Sequence, residues 1–352
     1  MPNTTSNTTN IQGQSASQTN RPQTVRCFRC HEPTTNEQLC NICSRDCFVC
    51  SRCRIIRYVD ERNSETGWCH QCSNPIGRHG YTPTLVPLGN PPHLGTELEV
   101  ESNGSYVQHA NRVQAVLPED FAILKSDGSL SEYGFEICTR PASLEEHRIA
   151  WEPFFNAHAE RRFTLQSYTS ERCGLHVHIS RNSGNWNLSQ HTIALIVCFV
   201  NLPKHKRFIE CVAGRYANSY SEIIHKPMRT AARCTGDKYE AVNLCHPNTL
   251  EFRIFKGTLK KESFFKALEF TEAICRYCVE TYNVRTALNV NNFCKFVFAH
   301  ADRYAMLAAF LDNRWYGRNS QFALNPQGLQ HWRLYNNRKP PLPPANLTEG
   351  GR

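Results

Sequence analysis

The chain has 352 residues, 18 of them cysteine, and a formal net charge of +9 at pH 7. This length accommodates one large domain and a smaller one, and the modest positive charge permits anionic partners without indicating nucleic acid. Residues 1–25 are rich in Asn, Thr, Ser and Gln and hold no apolar segment, which excludes a secretory signal and predicts a disordered polar tail.

The longest apolar run extends from Thr192 to Leu202 and is too short to span a bilayer, so it predicts a buried helix and no membrane partner. Disulfides form in oxidising compartments, and no export signal points to one. We therefore expect a soluble, intracellular, cytoplasmic protein.

Composition divides the chain into five parts. They are a polar tail (1–25), a cysteine-rich module (26–80), a linker (81–93), a domain of mixed amphipathic strands and helices (94–334) and a Pro-rich disordered tail (335–352). The module has too little apolar content for a core of its own. The domain at 94–334 is long enough for one and predicts an α+β fold.

Nine cysteines lie between Cys27 and Cys72, and eight of them form close pairs: Cys27/Cys30, Cys40/Cys43, Cys47/Cys50 and Cys69/Cys72. Two thiolates at this spacing lie one tetrahedron edge apart, as zinc requires, so four pairs predict two Zn²⁺ ions. The binding energy of the metal would then replace the missing core.

Two pairings of these cysteines fit the spacing. All four pairs in order resemble a RING cross-brace, with Cys43 where a RING usually has His. Sequential pairing joins Cys27/Cys30 to Cys40/Cys43 and Cys50/Cys53 to Cys69/Cys72, and leaves Cys47 spare. The last pair lacks the usual Pro, which favours a structural module over one that binds a ubiquitin-conjugating enzyme. A protein partner at this module is the alternative.

The first strand of the larger domain is predicted at 94–101, Leu-Gly-Thr-Glu-Leu-Glu-Val-Glu. Its even positions are mostly apolar, and its odd positions place Glu97, Glu99 and Glu101 on one face. Three carboxylates in a row repel one another unless a cation lies between them. The alternative is a solvated surface of an antiparallel sheet.

A second strand is predicted at 134–139, with Phe135 and Ile137 toward the core and Glu136 on the opposite side. The preceding turn, 125–130, contains Asp127. That residue suits an Asx turn as well as a site, and the sequence favours neither.

Two further strands repeat the pattern. At 173–180, three apolar residues face one way and His176 and His178 the other. At 249–255, apolar residues again share one face, while Glu251 and Arg253 share the other. A carboxylate beside a guanidinium is either a cross-strand salt bridge or a metal ligand beside an anion clamp.

Together these strands predict one sheet with an apolar side covered by helices. The opposite side would gather seven polar residues: Glu97, Glu99, Glu136, His176, His178, Glu251 and Arg253. Divalent cations best explain this excess of negative charge, and ligation rich in oxygen suits Mg²⁺ or Mn²⁺ better than zinc. Such ions commonly bridge the phosphates of ATP.

Four motifs in this order resemble the amidoligase family within the glutamine-synthetase-like carboxylate–amine ligase superfamily, over residues 93–320. They are 95–101, 127–130 with 134–137, 173–178 (Cys-Gly-Leu-His-Val-His) and 251–253 with 255–258 (Glu-Phe-Arg, then Phe-Lys-Gly-Thr). The resemblance implies a curved antiparallel sheet of the glutamine-synthetase type, whose polar concave face holds two metals and ATP.

The resemblance also implies roles for individual residues. Glu97, His176 and Glu251 would bind the metal that bridges the ATP phosphates, and Glu99 and Glu136 the metal nearer the acceptor carboxylate. His178 would contact ATP phosphate, and Arg253 the transferring phosphoryl group. The second metal lacks a clear further carboxylate, which Glu101 or Asp127 could supply. Arg215, Tyr216, Lys238 and Tyr239 lie near the expected site without an assigned role.

The resulting hypothesis is ATP-dependent formation of an amide or isopeptide bond between a carboxylate and an amine, with peptides and proteins among the candidate substrates. One alternative is a metal-dependent hydrolase that uses the His-x-His strand. Another is a zinc-stapled adaptor with a non-catalytic ligase-like domain. Dependence on nucleotide separates the first from the other two.

Overall fold

A computed structural model describes residues 25–27, 29–34, 38–51, 56–62, 64, 67–69, 73–77, 86–104, 106–167, 172–233 and 236–317. The predicted polar tail, except Val25, and the predicted Pro-rich tail lie outside these residues. The chain forms two compact units, Met1–Ser73 and Asn74–Arg352. The division precedes the predicted module boundary at residue 80, because Ile76–Gly77 pairs with a strand of the larger unit.

The smaller unit is built from short elements around cysteines. Strands β1 (Val25–Arg26) and β2 (Pro33–Thr34) are antiparallel, as are β3 (Cys47–Val49) and β4 (Ile56–Tyr58). Helix α1 (Cys43–Asp46) precedes β3, and a 3₁₀ turn (Val59–Glu61) follows β4. The buried cluster of this unit is Cys27, Leu39, Cys43 and Cys47. A cluster of this size gives little hydrophobic stabilisation.

An eight-stranded sheet organises the larger unit. The strands of the unit are β5 (Ile76–Gly77), β6 (Leu94–Ser102), β7 (Ala122–Lys125), β8 (Gly134–Thr139), β9 (Leu165–Gln166), β10 (Gly174–Ser180), β11 (Asn182–Ser183), β12 (Trp186–Asn187), β13 (Val242–Asn243) and β14 (Thr249–Lys256). The sheet order is β13-β14-β10-β6-β8-β7-β5, with β9 beside β6, and β11 pairs with β12 separately. Within the sheet, only β5 and β7 are parallel among the described strands.

Helices cover one side of this sheet. They are α2 (Tyr106–Val116), α3 (Leu144–Ala159), α4 (Gln190–Asn201), α5 (Lys206–Ala213), α6 (Met228–Ala231), α7 (Lys261–Glu280), α8 (Val284–Ala287), α9 (Val290–Ala299) and α10 (Ala305–Phe310). A 3₁₀ turn (Pro203–His205) precedes α5, and a π-helix (Leu311–Trp315) follows α10. Helix α7 contacts β10, and α5 contacts β14.

The apolar side of the sheet is buried as the alternation predicts. Leu98 on β6, Val177 on β10 and Phe252 on β14 are fully buried. Each strand therefore gives its apolar face to the helical layer and leaves its polar face on the other side. The α+β class with a mostly antiparallel sheet is confirmed, whereas the curved glutamine-synthetase type stays a prediction.

The helix predicted from the apolar run at 192–202 is also confirmed. Ser189 caps α4 by accepting a hydrogen bond from the amide of Thr192, and every residue from Thr192 to Asn201 is buried. Part of the predicted linker packs on the same unit, since the Leu88 amide donates to Pro141 O and the His93 amide to Ser180 Oγ. Among the described helices, none combines the length and the apolar character needed to span a membrane.

Candidate functional site

Strand register brings the predicted polar residues together on one side of the sheet, which we call the polar face. Glu97 on β6 lies directly opposite His176 on β10, and Glu99 lies opposite Glu136 on β8. His178 lies opposite Glu251 on β14. Directly opposed residues project to the same side, so these strands direct their carboxylates and imidazoles to a common surface.

The first group on the polar face is Glu97, His176 and Glu251. One ligand atom from each lies within 4.8 Å of the other two. His176 Nδ1 is 3.2 Å from Glu97 Oε2 and 3.4 Å from Glu251 Oε1. The side chains of His176 and Glu251 are only 7% and 3% exposed. An imidazole and two carboxylates at these distances form a donor set that fits a divalent cation.

The second group is Glu99, Asp127 and Glu136, whose ligand atoms also lie within 4.8 Å of one another. Asp127 accepts a hydrogen bond from the Ser129 amide at 2.6 Å, so it forms an Asx turn and joins the group as well. Glu101 instead accepts from the amide of Ser131 at 2.9 Å. Of the two carboxylates considered for this position, the structure places Asp127 there and not Glu101.

The carboxylate pKa values shift in opposite directions in the two groups. Burial alone would raise the pKa of Glu251, but a hydrogen bond from His246 and the charges of His178 and His176 lower it to about 2. The pKa of Glu97 likewise lies well below its ordinary value, because hydrogen bonds from His176 and His178 outweigh burial. These carboxylates are therefore ionised over the physiological range.

In the second group, carboxylates repel one another. Burial, followed by the charge of Glu97, raises the pKa of Glu136 to about 8, and burial also raises the pKa of Glu99. Lys125 Nζ is 3.6 Å from Glu136 Oε2 and offsets part of this charge. A divalent cation would favour the ionised forms and reverse the raised pKa values.

Neighbouring groups orient the carboxylates. Asn243 Nδ2 donates to Glu251 Oε2 at 2.6 Å, and Arg253 Nη1 donates to Glu251 Oε1. The amide of Gly174 donates to Glu99 Oε2. A Cβ at Gly174 would lie 3.3 Å from His176 Nε2 and 3.4 Å from Glu99 Oε2, so this position has room for glycine and little more.

A β-bulge lies at Arg253. Between Leu175 and Val177, β10 has one residue where β14 has two, Arg253 and Ile254. The carbonyls of those two residues accept hydrogen bonds from the Arg215 guanidinium at 2.5 and 3.0 Å. Arg215, which the sequence left without a role, therefore stabilises the bulge. Burial lowers its pKa.

Three residues of this site were not predicted from the sequence. Asn243 and Lys125 project to the polar face, and period-2 alternation of β13 and β7 would have placed them there. His246 Nε2 lies 3.4 Å from Glu251 Oε2, but it belongs to a loop and so has no periodic signal. Lys238 and Tyr239 instead form an exposed cation–π pair at 4.8 Å and join none of these groups.

Four cysteines form a candidate metal site in the smaller unit. The sulfurs of Cys27, Cys30, Cys40 and Cys43 lie within 4.8 Å of one another. This is the sequential arrangement, since a cross-brace would pair Cys27/Cys30 with Cys47/Cys50. The Cys43 amide donates to Cys40 Sγ at 3.4 Å and lowers the pKa of Cys40, and a backbone hydrogen bond from Cys30 lowers the pKa of Cys27 to about 6. Burial raises the pKa of Cys43 to about 12. Hydrogen bonds therefore stabilise the thiolates of Cys27 and Cys40, the form that binds zinc.

The remaining cysteines are only partly described. The Cys69 amide donates to Cys50 Sγ at 3.3 Å, which agrees with a shared second site. Cys47 accepts from Arg29 Nη1 at 3.0 Å and packs in the buried cluster of the unit. Cys53 and Cys72, the other predicted ligands, lie outside the described residues.

Comparisons with known proteins found no match. No protein-family model matches the chain, and no curated protein matches it. The resemblance to the amidoligase family stays a prediction that depends on the four motifs.

Proposed function

We propose that the larger unit is an ATP-dependent carboxylate–amine ligase that forms an amide or isopeptide bond. The observation that carries this proposal is the adjacency of two groups on one polar face, Glu97/His176/Glu251 and Glu99/Asp127/Glu136. Both consist mainly of carboxylates, the ligands that Mg²⁺ and Mn²⁺ prefer. The cations bound by two such neighbouring groups would neutralise the charge of a nucleoside triphosphate and of an acceptor carboxylate.

In the proposed reaction, the acceptor carboxylate attacks the γ-phosphorus of ATP, the bond to the β-phosphate oxygen breaks, and ADP leaves. An amine then attacks the acyl carbon of the acyl-phosphate, loses a proton, and phosphate leaves. Bound Mg²⁺ would neutralise part of the phosphate charge. His178 would contact a phosphate oxygen from the same face.

Arg253 would stabilise the transferring phosphoryl group. Its Nε donates to Tyr220 O at 3.1 Å and its Nη1 to Glu251, so the guanidinium is held before any substrate arrives. Its side chain is 17% exposed, which leaves part of it open to a ligand. A fixed cation in a partly buried site stabilises developing charge more strongly than one in water.

The test is Mg²⁺-dependent release of ADP, screened against pooled carboxylates and amines. Glu251→Gln should reduce this release by roughly 100-fold or more, because it removes charge at the phosphate site. Glu101→Gln is the matched control, since Glu101 lies on the same strand as Glu97 but bonds to Ser131. Unchanged ADP release in Glu251→Gln would refute the assignment. Product formation without ATP would favour a hydrolase. Absence of nucleotide binding would favour an adaptor.

A further inference from the structure

A third cluster of ligand-type atoms lies beside Glu251. His178, His246 and Glu251 each place one ligand atom within 4.8 Å of the other two. Glu251 Oε2 is 3.4 Å from His246 Nε2, whereas Glu251 Oε1 is 3.4 Å from His176 Nδ1. The two oxygens of this carboxylate therefore face different imidazoles, as in a carboxylate shared between two metal ions.

The His178 ring is held with one nitrogen available. Its Nδ1 lies 3.3 Å from Thr249 Oγ1, a contact that fixes the ring as outer partners of metal-bound histidines do. Its Nε2 is buried and faces Glu97, whose Oε1 lies 3.5 Å away. That contact is longer than an ordinary hydrogen bond, so a metal bond at this nitrogen would be the stronger interaction.

The donor set of this cluster differs from those of the two carboxylate-rich groups. Two imidazoles and one carboxylate, with a coordination position left open, are typical of zinc and its first-row neighbours, whereas Mg²⁺ prefers oxygen. The His246 side chain is 52% exposed, so an ion can reach the cluster from solvent. Asn243 orients the shared carboxylate through its bond to Glu251 Oε2.

We propose that His178, His246 and Glu251 bind a zinc-type transition-metal ion, distinct from the zinc of the cysteine unit. Glu251 joins this ion to the magnesium-type group at His176. The open position would take water or an anionic oxygen, such as the phosphate oxygen that His178 would contact directly in the absence of this ion. Binding is independent of the ligase reaction because it requires neither nucleotide nor substrate.

The experiment titrates Co²⁺ into the full chain after its cysteine sites are loaded with Zn²⁺. Cobalt bound by imidazole and carboxylate gives visible absorption without thiolate charge-transfer bands, which distinguishes this site from the cysteine sites. We expect one equivalent of this kind that depends on His246, besides cobalt that the Glu97/His176/Glu251 group binds. His246→Ala should weaken binding by more than the roughly 10–100-fold that loss of an outer partner costs. His225→Ala, the loss of an exposed histidine outside every group, should bind as wild type.

Thermal unfolding of the same variants controls for folding. Because His246 is half exposed on a loop, the variant with zinc only in its cysteine sites should melt as wild type does in the same state, and it should lose only the further increase that metal binding at this cluster produces. Equal cobalt binding by wild type and His246→Ala, or cobalt bands of thiolate type only, would overturn the site. Failure of ADP release with an intact cobalt signal would instead contradict the ligase proposal alone.

Discussion

The cysteine unit and the polar face gather their ligand-type residues in opposite ways. The four sulfurs of the first come from one short stretch of chain, Cys27 to Cys43, inside a unit whose buried cluster is mostly cysteine. Glu97, His176 and Glu251 come from three strands that a large apolar core holds in register. A metal should therefore be needed for folding in the first region, and should enter a preformed site in the second.

Removal of zinc should give the largest effect and the clearest contrast. Structural zinc contributes roughly 10–16 kcal/mol to small zinc domains, so a chelator should unfold the smaller unit and leave the larger one folded. Two-dimensional NMR of the full chain resolves the two sets of signals. Cys27→Ser should reproduce the effect, and Cys245→Ser, at an exposed cysteine of the larger unit, should not. Loss of both sets of signals together would show that the larger unit also needs zinc to fold, which contradicts the difference between the two regions.

A buried lysine in the helical layer should make the stability of the larger unit depend on pH. Lys266 Nζ donates to Val212 O, and burial lowers its pKa from 10.5 to about 8. Between these values the unfolded chain binds more protons than the folded one, so stability should rise with pH across that window. Below it, both states are charged and the rise is absent.

Lys266→Met should remove this rise. It should also stabilise the unit near neutral pH by up to about 3 kcal/mol, because each unit of pKa shift corresponds to 1.36 kcal/mol. Urea denaturation of both proteins at several pH values measures the difference. Parallel stability profiles would show that Lys266 is not desolvated as described.

Loss of Arg215 should destabilise the bulge. Arg215→Met removes the donor to the carbonyls of Arg253 and Ile254, and an unsatisfied buried carbonyl costs about 1–3 kcal/mol. Urea denaturation reports the loss, with Arg285→Met, at an exposed arginine of α8, as the control. Equal stability of the two variants would mean that water or another donor replaces Arg215.

Gly174→Ala should have the smallest effect and test how closely the polar face is packed. The new Cβ would press on His176 and Glu99, so divalent-cation affinity should fall by about tenfold, the lower end of the range for outer partners. Gly95→Ala is the matched control, because its Cβ would meet His178 Cβ at an ordinary 3.7 Å. Calorimetric titration with Mn²⁺ measures both. Equal Mn²⁺ affinities of the two variants would indicate that the polar face has room for a Cβ at residue 174.

Much of the polar face was predictable because period-2 alternation assigns every strand residue to a side. That rule places Glu97, Glu136 and Glu251 on one surface without knowledge of the strand order. It does not reach turns and loops, so it could not place Asp127 and assigned no role to His246.

Strand register and the pairing of the cysteines could not be derived from the sequence. The bulge opposite His176 depends on how β14 aligns with β10, and Arg215 acquires its role only through that bulge. The cysteine spacing predicted zinc but fitted both pairings, since each pair can supply half of either site. The sulfur positions of Cys27, Cys30, Cys40 and Cys43 favour the sequential arrangement.

Electron–nuclear double resonance of bound Mn²⁺ measures whether Glu97, His176 and Glu251 bind one divalent cation. In protein whose cysteine sites and His178/His246/Glu251 cluster alone hold zinc, we expect an imidazole nitrogen coupling to Mn²⁺ that disappears in His176→Asn. Manganese without nitrogen coupling, or the same coupling in His176→Asn, would contradict it.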